Sequence, residues 1–154
     1  MTIEDQFSLE IARKVLKTTD EEVQLEVLNQ MAKGKDGNLD DQIKEAKAVS
    51  KQAGDFGMEI IGPMIIPVLI EAGKSLWKLF VKKLGEKAMD KGADYTFDKI
   101  KELIKNIWNG KDSHVTVNDY ENELKKAALA EGLSSEQTDR LIKAVRSIDG
   151  KSFD

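Results

Sequence analysis

The chain has 154 residues, 40% hydrophobic and 34% charged, with a net charge of −4 and no cysteine. That length suits one core with a small appended unit, and the missing cysteine excludes disulfides, thiolate metal ligands and thiol catalysis. Two prolines against abundant Ala, Leu, Ile, Lys and Glu make helix the expected state throughout, and the acidic balance weighs against nucleic acid.

Ile3, Phe7, Ile11 and Val15 step by four, with Leu16 beside them and Thr2 placed to cap, so a first amphipathic helix is predicted over 3–17. The opening stretch MTIEDQFSLEIARK has no basic start followed by an apolar run, which predicts a cytoplasmic protein without a secretory signal. Thr19 to Glu22 reads as a capping box for a second helix over 20–33, with Val23, Val27, Leu28 and Met31 inward. Leu39, Ile43, Ala46, Val49 and Ala53 give a third helix over 39–53 with a weak, alanine-rich face.

Residues 56–84, FGMEIIGPMIIPVLIEAGKSLWKLFVKKL, are the unusual part. Pro63 and Pro67 suit a turn or the first turn of a helix, and the helix is predicted over 67–91. Along it Glu71, Lys74, Ser75, Lys78 and Lys82 share about a third of the circumference, and apolar residues including Leu69, Trp77, Phe80 and Val81 cover most of the rest. Such a helix needs enclosure by other helices, by a partner or by lipid. The longest uncharged apolar run, Ile60 to Ile70, is about half the roughly 20 residues a spanning helix needs. Yet aromatic anchors beside a lysine stripe are what a helix lying in a membrane interface carries. Charge follows the same division: 12 acids and 8 bases over 1–55, 7 and 10 over 56–111, and 9 and 6 over 112–154.

Phe97, Ile100, Leu103, Ile104, Ile107 and Trp108 form the face of a further helix ending at Asn109-Gly110. HVTV (114–117) is β-like but too short to form a sheet without partners. Asn118 with Glu121 reads as the cap of the next helix, and Ser134 with Gln137 as a capping box for the last, so 118–149 is expected to be a helical hairpin.

Convergent reactive groups are missing. His114 is the single histidine, the acidic pairs sit at helix starts where the dipole favours them, and KGKDGN matches no phosphate or calcium loop. No catalytic residue, metal ligand or cofactor is predicted, and the chain is not expected to be an enzyme. The fold expected is all-α: about five helices (1–111) bundled around the 67–91 helix, with a C-terminal αα-hairpin (112–154) packed on it. The leading expectation for function is a helical interaction or assembly protein that binds a protein partner or itself. Its contact residues would be Ile60, Ile61, Met64, Ile65, Ile66, Leu69, Trp77, Phe80, Val81, Lys74, Lys78 and Lys82, with hairpin docking at Leu133, Arg140 and Lys143. The alternative is a membrane-active, pore-forming or effector-like protein using 56–84, associated peripherally with an anionic membrane. A helix-turn-helix DNA-binding regulator comes third, because the hairpin is acidic.

Overall fold

The computed structural model describes residues 2–18, 28–29, 42, 65–84, 97–112 and 114–148. Those residues form five helices and no strand, an all-α bundle: α1 (Ile3–Thr18), α2 (Ile65–Leu84), α3 (Phe97–Trp108), α4 (Val117–Ala130) and α5 (Ser135–Ser147). The helices expected over 20–33 and 39–53 lie outside the described residues, apart from helical Leu28, Asn29 and Gln42.

Several of the helix ends have a local chemical cause. Thr2 and Asp5 cap α1 reciprocally, the Asp5 N–H donating to the Thr2 hydroxyl and the Thr2 N–H to the Asp5 carboxylate, both at 3.1 Å. Two orphan amides of the first turn are thereby satisfied. In α2 the second proline of the chain, Pro67, is the third helical residue, where its missing N–H is not needed. The helix starts at Ile65, two residues before the predicted 67, and residues 85–91 of the expected helix lie outside those described.

α3 closes with a Schellman turn: Lys111 N–H donates to Asn106 C=O (2.8 Å) and Gly110 N–H to Ile107 C=O (3.2 Å). Gly110 takes φ 71°, which glycine adopts without steric penalty. The next loop is tied by Asp112, whose carboxylate accepts from the amides of His114 (2.8 Å) and Val115 (2.9 Å). The chain then arrives extended at Thr116, which caps α4 with Asp119 in a reciprocal box. Here the prediction is corrected: the cap is Thr116, not Asn118, and of the β-like HVTV the last residue, Val117, is already the first of the helix. Ser134 and Gln137 form the capping box of α5 as predicted.

The core lies along α2. α1 and α4 both pack along its length, while α1 also meets α3 and α5, and α4 meets α5. Phe7, Ile11, Val15 and Leu16 from α1, Val68, Leu69, Ile70 and Leu76 from α2, Ile100 and Ile104 from α3 and Tyr120 and Leu124 from α4 are all fully enclosed. A close approach falls at Gly73, where a Cβ would stand 2.7 Å from Ser8 Cα. Glycine is what lets the α1 and α2 backbones come this near.

Candidate functional site

Two regions compete as the working surface: the apolar flank of α2 and the end of the α4–α5 hairpin. On α2, Ile65, Ile66 and Leu69 are at most 1% exposed, Trp77 9% and Phe80 3%. An aromatic column runs through Trp77 and Phe80. Phe7 of α1 lies 5.2 Å from Trp77, Trp77 5.5 Å from Phe80, and Phe80 meets the His114 ring edge-on at 5.8 Å. These separations are those of favourable aromatic pairs.

In this arrangement Ile65, Ile66, Leu69, Trp77 and Phe80, named as contact residues for a partner or a membrane, lie inside the bundle. α1 and α4 of the same chain pack on α2, and His114 meets Phe80. Val81 is half-buried against the core. Of the lysine stripe, Lys74 reaches Asp5 of α1 at 3.3 Å, a pair largely withdrawn from water, whereas Lys78 and Lys82 are exposed. Ile60, Ile61 and Met64 lie outside the described residues. No described helix is long and apolar enough to cross a membrane.

The hairpin is stitched to the bundle by polar contacts as well as packing. The Tyr120 phenol donates to the Leu69 carbonyl of α2 at 3.3 Å, and burial pushes the phenol far above its ordinary range. The Trp108 indole N–H donates to Val145 C=O of α5 at 3.4 Å, and its ring lies 5.7 Å from that of Tyr120. Between the two hairpin helices the Arg146 guanidinium donates to buried Glu121 at 2.8 Å. The hydrogen bond to Glu121 holds the Arg146 pKa above its ordinary value.

At its far end the hairpin is closed by backbone hydrogen bonds. Leu133 N–H donates to Ala128 C=O (3.0 Å) and Gly132 N–H to Leu129 C=O (3.1 Å), a second Schellman turn, with Gly132 at φ 79°. The Ser134 capping box follows at once. Leu129 protrudes from this corner at 80% exposure, although sequence reading did not single it out. Its signal was present: one helical turn back stand Lys125 and Lys126, both exposed, so Leu129 belongs to their face.

Of the hairpin residues named in advance, Leu133 packs inward against the core, Arg140 is exposed and pairs with Glu136 at 3.4 Å, and Lys143 is exposed. The structure does not bring them into one apolar patch. Among the described residues no group of three or more His, Asp or Glu could hold a metal ion, and no buried side-chain N or O atom lacks a hydrogen-bond partner. Comparison of the chain with protein-family models, with curated proteins and with solved structures returned no match.

Proposed function

We propose that this chain is a non-enzymatic α-helical interaction protein that binds a protein partner or a second copy of itself through the α4–α5 corner around Leu129. The observation that carries this reading is a contrast. The strongly apolar α2 is enclosed in cis, while Leu129 stands 80% exposed in the last turn of α4, beside a hydrogen-bonded Schellman closure. A side chain on a preorganised turn loses little further freedom on docking. Burying a leucine fully contributes about 1.5–3 kcal/mol, enough for one anchor of a contact whose remainder is polar.

The flanking charges support a protein as the partner. Lys125 and Lys126 precede Leu129 and Glu131 follows it, a mixed rim around an apolar anchor. The exposed side of α5 mixes Glu136 and Asp139 with Arg140 and Lys143, which does not favour a DNA-reading helix.

The test places a photo-crosslinking amino acid at position 129 and, as a control, at exposed Lys143. Irradiation of concentrated purified protein and of producing cells should each be analysed. A discrete adduct from position 129 and not from position 143 is expected, and Leu129→Ser should remove any concentration-dependent mass increase in light scattering. No adduct from position 129 in either setting would refute the reading.

A further inference from the structure

A second surface of different chemistry lies where α1 meets α3. Phe97, the first residue of α3, was expected in the core on its spacing with Ile100 and Ile104, but it is 45% exposed. The Lys101 amine stands 4.7 Å over its ring. Across the helix contact the C-terminal half of α1 carries Arg13, Lys14 and Lys17, and Lys14 lies within electrostatic reach of Lys101. Residues 10–17 and 97–108 together hold six bases against three acids, in a chain whose net charge is −4. One of those acids, Glu10, is buried and occupied by Arg13 at 2.9 Å.

Electrostatics at the centre of this face agree with the geometry. Partial burial, and then the charge of Lys17, hold the Lys14 pKa below the ordinary lysine value; Glu10 pulls the other way, while Lys101 and Arg13 add to the lowering. Lysines from two helices are therefore close enough to repel one another, and an anion laid on the face relieves that repulsion.

We infer that the α1–α3 face is a docking surface for an anionic lipid bilayer, with Lys14, Lys17 and Lys101 meeting the headgroups and Phe97 entering the interface. Charge alone would suit any polyanion. The exposed phenyl ring distinguishes lipid: a headgroup layer takes amines at its phosphates and a ring at the acyl boundary. An acidic protein segment or a duplex offers the first and has no need of the second. This surface is separate from the Leu129 corner, and its inference does not rest on the protein-binding proposal.

The experiment is co-sedimentation of the full chain with phosphatidylcholine vesicles, with and without phosphatidylserine, across a salt series. Binding to the phosphatidylserine vesicles alone, weakening as salt rises, is the expected result. Each basic residue near such a surface contributes about fivefold in affinity, so K17Q/K101Q should bind about 25-fold more weakly. Phe97→Ser should also weaken binding, whereas Lys143→Gln, which removes an exposed lysine from α5, should leave it unchanged. Circular dichroism of the variants should match the parent, because the substituted residues are exposed.

Absence of binding at low salt, or equal binding by K17Q/K101Q, overturns the assignment. So does retention of polyglutamate by a protein that ignores the vesicles, which would assign the face to an acidic protein segment. Binding accompanied by dye leakage and a shift in tryptophan emission would place α2 in the bilayer and would equally overturn it.

Discussion

Gly73→Ala tests the α1–α2 crossing on which the enclosure of α2 depends. In an open helix interior this substitution stabilises by about 1 kcal/mol, because alanine restricts the unfolded chain and glycine does not. Here the new Cβ would stand 2.7 Å from both Cα and Cβ of Ser8, where ordinary contact begins near 3.4 Å. Ser8 Cα is backbone, so no rotamer change relieves it. α1 must move away by about 0.7 Å, the difference between those two distances.

A gap of that size forfeits a quarter to a half of the dispersion attraction of each separated pair, and Phe7 and Ile11 lie on the displaced helix. Overpacking of this kind typically costs about 1–3 kcal/mol. Set against that propensity gain of about 1 kcal/mol, the net loss is about 0–2 kcal/mol, or a Tm lowered by up to about 8 °C for a chain of this size. Urea unfolding followed by circular dichroism measures the energy. Near-ultraviolet dichroism reports the Phe7–Trp77 contact, now 5.2 Å between ring centroids. Ser8→Gly in the same chain removes the Cβ clash but not the Cα clash, so it should restore part of the loss. If Gly73→Ala raises the urea midpoint, the backbones do not meet there and the account of how α2 is covered is wrong.

Two further substitutions probe the hairpin. Tyr120→Phe deletes the phenol that donates to Leu69 and should cost about 1 kcal/mol at neutral pH. Burial favours the neutral phenol in the folded state, so that contribution is present below the ordinary pKa of 10.0 and is lost as pH rises beyond it. The gap between parent and variant in urea should therefore close above pH 10, and a gap that persists there would contradict the burial of the phenol. Gly132→Ala meets no atom within 4 Å, so its cost is purely the φ of 79°, about 1 kcal/mol, and Gly132→Asn should cost less. Equal midpoints for the alanine variant and the parent would disprove the left-handed turn.

How far these features were readable from the chain depends on whether their cause is local. Capping boxes act within four residues, so Ser134–Gln137 and the glycine stops were legible. Thr116 and Asn118 are both competent caps, each with an acid three residues on. The choice fell to Thr116 because the Asp112 carboxylate already ties the amides of residues 114 and 115. The apolar breadth of α2 was legible too, since composition and a period of 3.6 suffice. Which helix would cover it was not, because Gly73 acquires its meaning only from Ser8, 65 positions earlier. Phe97 failed for a related reason: it lies between the directions of Ile100 and Lys101, and periodicity alone does not show that the amine of Lys101, rather than the core, meets its ring.

The enclosure of α2 also bears on whether the apolar segment is ever released. α1 contributes four large apolar side chains with no exposure at all, Phe7, Ile11, Val15 and Leu16. At about 1.5–3 kcal/mol each, lifting them into water costs roughly 6–12 kcal/mol, which is comparable with the whole stability of an ordinary domain. Detaching α1 is then nearly the same event as unfolding, and a membrane-active use of α2 needs an external source of free energy, not a spontaneous opening. Native-state hydrogen exchange decides between these. The amides of Ile11, Ala12 and Val15 should exchange with the same opening free energy as that of Leu124 on α4, and with the same dependence on denaturant. If α1 exchanges through a cheaper opening while α4 stays protected, the cover is an independent unit, and release of the Trp77–Phe80 flank becomes the better account of what this protein does.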